Sequence, residues 1–120
     1  MAEQGSGVVV NLGSAVGRVG SSGEVVCSAA KGGIIAFTKS LARDGAPPGE
    51  SQLRLPGPTD TALFASFARP KLREALTKAI PFRRLGQPAD VANVVAFLTS
   101  DEASFVTSQT LSVSRGPTMS

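Results

Sequence analysis

Three side chains in the first third of the chain could take part in acid–base or polar chemistry. Ser14 lies in a stretch rich in Gly and Ser, and its hydroxyl can both donate and accept hydrogen bonds. Cys27 and Lys31 follow in an alanine-rich stretch, four residues apart, which puts them one turn apart on one face of a helix. This spacing allows a thiol and an ammonium group to act together. A small apolar packing residue is the preferred interpretation of Cys27, with an acid–base group as the alternative.

The residues around this group predict one layer of an α/β fold. Residues 8–12 are mainly apolar and β-branched, which suits a buried strand, and residues 13–24 favour a loop. Apolar residues then recur at helical spacing from Val25 to Asp44. Open α/β sheets bind their ligands at the carboxyl ends of the strands. We therefore expect Ser14 at a ligand-binding edge.

Each predicted helix should bury one apolar stripe. The stripe of the first helix is Ala30, Ile34, Phe37 and Leu41. A helix over Pro70–Ile80 should point Leu72, Ala75, Leu76 and Ala79 inward, and a helix that begins at Pro88 should bury Val91, Val94, Val95 and Leu98. Pro88 fits a first helical turn, where the helix dipole also favours the carboxylate of Asp90. Residues 109–113 predict a final strand.

The composition excludes several classes of function. The chain has 120 residues and a net charge of +3, and its single Cys and lack of His exclude a disulfide framework and a His/Cys metal site. Residues 69–84 are basic, but Trp and Tyr are absent, and nucleic-acid interfaces usually add stacking aromatics. We expect a solvated helix face there, with a phosphate-binding patch as the alternative, and no nucleic-acid partner. We find no secretory signal and no run long enough to cross a membrane, which favours a cytoplasmic protein without a membrane partner.

The motif formed by Asn11, Ser14 and Lys31 resembles the second half of a short-chain dehydrogenase/reductase. In that family a strand ends in Asn-x-x-Ser, and Tyr-x-x-x-Lys begins thirteen residues after the Ser. Cys27 stands at the Tyr position, and the chain contains no Tyr. Two later segments are also similar to the family, residues 56–61 as its Pro-Gly-x-x-x-Thr loop and residues 84–91 as its Arg-x-Gly-x-Pro-x-Asp-Val motif.

The resemblance implies an α/β fold with a partial Rossmann-type, doubly wound parallel sheet of about three strands and flanking helices. Residues 1–120 would form a single partial domain, the C-terminal half of that fold. Residues 44–55 depart from the family and are expected to be irregular. They are either a diverged loop with a short edge strand at Gln52–Leu55 or the product of a shifted reading frame between two compensating deletions. We further expect poor order at Gly45–Leu55.

The resemblance also implies roles for individual residues. Ser14 would orient the substrate oxygen, and Lys31 would bind the nicotinamide ribose and stabilise a phenolate, since a phenol has a pKa of about 10. Cys27 would be a poor substitute for Tyr because its side chain stops several bonds short of a phenol oxygen. The residues implied to hold the nicotinamide carboxamide are Pro56, Gly57, Thr59 and Thr61. Thr61 could instead, or as well, be a helix N-cap.

The implied cofactor is NAD or NADP, and we expect its binding to be weak or absent. The family holds the pyrophosphate at a Gly-rich turn between the first strand and helix, and this sequence has no such element. The implied function is hydride transfer between nicotinamide and a carbonyl or alcohol substrate, by a chain that is truncated and catalytically impaired. The alternative is a non-catalytic assembly or dimerisation module. The free edge of the first strand predicts a marginally stable homo-oligomer, or pairing with a full-length relative.

Overall fold

A computed structural model of the chain describes residues 7–44, 49–56, 59 and 61–114. These residues form three strands and five α-helices. In chain order they are β1 (Gly7–Leu12), α1 (Val16–Val19), α2 (Val25–Asp44), β2 (Gly49–Pro56), α3 (Ala62–Phe67), α4 (Pro70–Ala79), α5 (Pro88–Leu98) and β3 (Thr110–Val113). The α/β class is as predicted, and the limits of α2 agree with the predicted helix.

The three strands form one parallel sheet in the order β1-β2-β3. Gly7 pairs with Gly49 at one end of β1, and Pro56 pairs with Val113 at the end of β2. The prediction of a short edge strand at Gln52–Leu55 is therefore wrong, because β2 is longer and central. Parallel pairing uses main-chain groups, so the poor apolar alternation of this segment does not prevent it. Residues 45–48 lie outside the described residues.

Helix α2 buries only part of the stripe that the sequence predicts, because Ile34 and Leu41 are half-buried and the other two residues are not. Phe37 is 56% exposed and Ala30 is also exposed, whereas Thr38 is 1% exposed. The buried side of α2 is thus rotated by about one residue from the predicted stripe. The reason is a polar contact, because Asn11 of β1 donates from Nδ2 to Oγ1 of Thr38 at 2.9 Å.

Helix α2 is also long and apolar enough to cross a membrane, by length and composition alone. It has 20 residues, and its most apolar window has a mean hydropathy of 1.3. The expectation that no run reaches this length is therefore wrong. One such helix is weak evidence for a membrane segment, because helices of soluble proteins pass the same test.

The segment from α3 to the start of α5 builds a small core. Phe64, Ile80 and Leu85 are buried together, with Ala68 and Leu76 packed against them. Of the predicted inward stripe of α4, only Leu76 makes this contact, and Leu72 is 43% exposed. The stripe of α5 is confirmed, because Leu98 is 1% exposed and the three valines are half-buried.

Ser108 precedes β3 in a left-handed conformation, with φ of 57°. This conformation costs non-glycine residues about 1–2 kcal/mol. Glycine adopts the same conformation without this cost.

Candidate functional site

Ser14 lies in a tight turn between β1 and α1. The amide of Gly17 donates to the carbonyl oxygen of Ser14 at 3.0 Å, which closes the turn. Gly17 in turn lies directly on α2, since a Cβ at this position would be 2.5 Å from the carbonyl carbon of Lys31 and 2.7 Å from the amide nitrogen of Gly32. Only Gly permits this approach. The turn that carries Ser14 therefore packs against the helical turn that carries Lys31.

The side chain of Lys31 reaches the carboxyl end of β1. Its Nζ donates to the carbonyl oxygen of Leu12 at 3.0 Å. Ser14 follows Leu12 by two residues, so Lys31 and Ser14 belong to one edge of the sheet. The structure thus brings together the loop and the lysine that the sequence predicts at a ligand-binding edge.

Cys27 lies near the start of α2, beside another depression. Its thiol is free and exposed. It lines an open cleft of about 590 Å³ with Gly23, Glu24, Val25, Val26 and Ala30. Helical spacing puts Cys27 one turn before Lys31, as predicted. The described contacts of the lysine, however, are with Leu12 and not with the cleft beside Cys27.

An apolar groove of about 580 Å³ begins at Leu12. One wall is α5, and the other side carries two hydroxyl residues. Its lining residues are Leu12, Thr59, Thr61, Val91, Val95 and smaller side chains of α5. A mainly apolar groove with a few fixed polar groups is the usual form of a small-molecule site.

The loop at this groove is held by local contacts. Thr59 forms a parallel bridge with Gly86, and the Oγ1 of Thr61 accepts a hydrogen bond from the amide of Phe64 at 3.2 Å. The N-cap interpretation of Thr61 is therefore confirmed. The cap uses the oxygen as acceptor, so the hydroxyl proton can still be donated. Pro56 ends β2 beside Val113, and Gly57 lies outside the described residues.

An ion pair fixes the start of α5 behind the groove. Arg84 donates from Nη1 and Nη2 to the two oxygens of Asp90 at 2.9 and 3.1 Å. Asp90 also accepts from the amide of Gln87 at 2.8 Å, which completes a capping box. The hydrogen bond to Asp90 raises the pKa of Arg84 above its usual value. Arg84 also donates from Nη1 to the carbonyl oxygen of Leu85 at 2.9 Å, so the same side chain contacts the residue before Gly86.

The lining of the groove is compatible with one end of the nicotinamide dinucleotide that the family resemblance implies. Its apolar wall suits a flat ring, and the hydroxyls of Thr59 and Thr61 suit a carboxamide. The sequence offers no Gly-rich strand–turn–helix for the pyrophosphate.

Within residues 7–44, 49–56, 59 and 61–114, acidic and Cys side chains form no group of three that could hold a metal ion.

The amino-acid sequence is similar to known reductases over nearly its whole length. A sequence profile described as Enoyl-(Acyl carrier protein) reductase matches residues 1–118. Acetoacetyl-CoA reductase from Shinella zoogloeoides is 38% identical over 117 residues, which are 97% of this chain and 48% of that protein. A 3-oxoacyl-(acyl-carrier-protein) reductase from Staphylococcus aureus is 39% identical over 116 residues, which are 97% of this chain and 47% of that protein. The chain spans about half the length of these curated relatives.

A solved structure agrees with these sequence matches. It is described as Short-chain dehydrogenase/reductase SDR:Glucose/ribitol dehydrogenase, from Brucella melitensis. It is 31% identical, with a TM-score of 0.89, and the match covers 94% of this chain and 46% of that one. This chain belongs to the short-chain dehydrogenase/reductase family. The resemblance drawn from Asn11, Ser14 and Lys31 is confirmed at the level of the family and its Rossmann-type fold. The match to a C-terminal half and the Cys27-for-Tyr substitution stay predictions.

Two residues of this short-chain dehydrogenase/reductase site are not predicted by the sequence reasoning. Thr38 anchors Asn11 from inside α2, and Arg18 connects α1 to β3. A Thr at a helical position beside an apolar stripe carries no signal that it is buried. Arg18 lies in a Gly-rich loop, where a cation normally indicates only solvent exposure.

Proposed function

We propose that this chain is the nicotinamide-binding half of an NAD(P)-dependent oxidoreductase that acts on a carbonyl or alcohol carbon. One observation carries the proposal: the Nζ of Lys31 contacts the carbonyl of Leu12, and Leu12 also lines the groove with Thr59 and Thr61. The lysine and the groove therefore meet at a single residue. The names of the relatives favour a 3-oxoacyl thioester as the substrate.

Each residue has a role in this proposal. The hydroxyl of Ser14 binds and orients the substrate oxygen, and the ammonium of Lys31 binds the ribose and places positive charge beside the site. The hydroxyl of Thr61 donates to the carboxamide while its oxygen caps α3. NAD(P)H supplies the hydride when it is bound. Cys27 is the residue least suited to its role as proton donor, because its thiol cannot reach the place of a phenol oxygen.

In this proposal the chain as given is catalytically impaired. These 120 residues include no Gly-rich element for the pyrophosphate, so they contribute free energy of cofactor binding at the nicotinamide end alone. It also lacks a phenolic proton donor, and positioned acid–base groups contribute about 10²–10⁴-fold to enzyme rates. A cytoplasmic location and the absence of nucleic-acid and membrane partners stay predictions.

A pair of variants at position 27 tests the enzymatic proposal. Cys27→Tyr adds a phenol one turn before Lys31, and Cys27→Phe adds the same ring without the hydroxyl. With NADPH and acetoacetyl-CoA, we expect the Tyr variant to reduce the substrate at least about 100-fold faster than the Phe variant. Equal rates in the two variants would contradict the proposed placement of the site.

A cofactor titration tests the groove separately. Because only the nicotinamide end contributes, we expect the fluorescence of NADPH to change saturably at high concentrations alone with the wild-type chain, and not to change with Lys31→Ala. Lys31→Arg, which keeps the charge, is the matched control and should retain part of the effect. A wild-type chain that gives no change at any NADPH concentration would remove the oxidoreductase proposal.

The exposed side of α2 supports a second candidate function, a non-catalytic assembly module. Val25, Val26 and Phe37 are 77%, 83% and 56% exposed on this helix. Apolar side chains at this density on one helix usually mark a protein interface. The proposed occupant is a second copy of this chain or a full-length relative.

Sedimentation of the purified chain tests the assembly module. We expect a concentration-dependent dimer or larger oligomer, and we expect Val26→Glu to shift it to monomer. Val19→Glu changes another exposed valine, 59% exposed, outside α2 and serves as the control. A wild-type chain that stays monomeric at high concentration would exclude a second copy of the chain as the occupant.

A further inference from the structure

Arg18 joins the loop after β1 to the last strand of the sheet. Its Nη2 donates to the carbonyl oxygen of Thr110 at 3.1 Å, and its Nη1 donates to the Oγ of Ser112 at 3.4 Å. Both acceptors belong to β3, which is separated from β1 by the whole of β2. The side chain therefore spans one strand of the sheet.

The turn that carries Arg18 is too short to hold itself in place. Helix α1 has four residues, and helices of this length are not stable alone. Gly17 fixes one side of it by lying on the backbone of Lys31. Arg18 fixes the other side through β3. A guanidinium suits this task because it is long, always charged and presents several donors in a rigid plane.

Ser14 lies in the turn that Gly17 attaches to α2 and Arg18 attaches to β3. Its carbonyl accepts from Gly17 in the turn that α1 continues, and its side chain is half-buried. Loss of the contact to β3 leaves the turn attached to α2 alone. The position of Ser14 relative to Lys31 then depends on a single packed glycine.

We propose that Arg18 is a positioning residue that fixes the Ser14 turn to β3. It acts through Ser14 and does not touch the substrate. The inference rests on the proposed function, because that function assigns the substrate oxygen to Ser14. It also assigns a role to β3, which otherwise only completes the sheet.

Hydrogen exchange measured by NMR on the full chain tests this proposal. The reporters are the amides of Gly17 and Gly20, which donate to Ser14 and Val16 at 3.0 and 2.8 Å. In Arg18→Ala we expect exchange at both amides to rise about tenfold or more, because charge-assisted hydrogen bonds are lost. The amide of Thr99, bonded to Val95 in another part of the fold, is the internal control and should not change.

Further variants separate positioning from general stability. Arg18→Lys keeps the charge and should restore part of the protection, together with the wild-type chemical shift of the Ser14 Cβ. Ser112→Ala should raise exchange less than Arg18→Ala, and should add little to it in the double variant, because both changes remove the same contact. If Arg18→Ala fails to fold, Ser112→Ala alone still reports on the attachment.

The outcomes distinguish this proposal from the proposed function. Wild-type exchange rates in both Arg18→Ala and Ser112→Ala would overturn the role of Arg18, even if NADPH binds. A rise in exchange confined to Gly17 and Gly20, in a chain that binds no NADPH, would keep the attachment and remove the enzymatic function. A uniform rise that includes Thr99 would also overturn positioning, because it indicates global destabilisation.

Discussion

The residue of α5 that is most deeply buried is Leu98, whereas in α2 it is Thr38; both are 1% exposed. Both helices are apolar by sequence and both flank the sheet. In α5 the valines face inward with Leu98. In α2 the buried Thr38 contacts Asn11 of β1, and Phe37 and Val26 are exposed.

The two helices differ in how far the described residues cover their apolar sides. Helix α5 has an apolar face that the chain covers and a first turn that Asp90 and Arg84 cap. Helix α2 has an apolar face that the described residues leave uncovered. Apolar area in water is unfavourable, at about 25 cal/mol per Å². The exposed face of α2 is therefore where we expect association, and α5 is where we expect stability.

Leu98→Ala should give the largest effect on stability. It removes a fully buried side chain and leaves a cavity, which costs about 2–5 kcal/mol in free energy of unfolding. Urea unfolding measures this change, and in a marginal domain the variant will be largely unfolded without urea. Phe97→Ala, on the neighbouring residue that is 46% exposed, is the control and should cost much less. Equal losses would contradict the inward orientation of the α5 stripe.

Thr38→Val tests the polar side of α2. The change keeps the shape of the side chain but removes the acceptor for Asn11, and an unsatisfied buried amide costs about 1–3 kcal/mol. Thr77→Val is the matched control, because the described bond of the Thr77 hydroxyl is to the carbonyl of Arg73 in its own helix. Thermal unfolding should show a lower midpoint for Thr38→Val alone. Similar midpoints would mean that the Asn11 contact does not hold α2 to β1.

Asp90→Ala tests the capped start of α5. The change removes both the helix cap and the ion pair with Arg84. The side chains of Asp90 and Arg84 are 31% and 39% exposed, so we expect the free energy of unfolding to fall by about 1 kcal/mol. Glu74→Ala removes an exposed pair with Lys78, about two-thirds exposed on both sides, and should change little. Denaturant midpoints at low and high salt give the comparison. A larger loss of unfolding free energy for Glu74→Ala than for Asp90→Ala would contradict the stabilising role of the Asp90 cap.

Phe37→Ala should have the smallest effect. Because Phe37 is 56% exposed, its removal should change the unfolding free energy of the monomer by less than about 0.5 kcal/mol. The measurement requires dilute protein, where association does not contribute. A loss comparable to that of Leu98→Ala would show that Phe37 is buried within one chain, and the contrast between the two helices would disappear.

The sequence predicts local features better than it predicts the packing. The place of Ser14 after β1 follows from the strand–loop–helix pattern, and the cap formed by Thr61 follows from its place before an apolar run. The catalytic and cofactor-binding roles of Ser14 and Lys31 stay predictions. The partners of Arg18 could not be predicted, because they lie 92 and 94 residues away. No local pattern carries information over that distance.

The sequence by itself determined the limits of α2 and the start of α5, but not α1, which lies in a segment predicted as a loop, or the length of β2. Helical periodicity set the limits of α2, Pro88 and Asp90 set the start of α5, and the spacing of Asn11, Ser14 and Lys31 set the family. Tertiary structure decided which side of α2 is buried and that β2 is the central strand. The physical reason is that periodicity measures how apolar a face is, whereas burial depends on what lies opposite. In α2 the opposite group is Asn11, and its amide requires an acceptor that only Thr38 of the apolar helix surface provides.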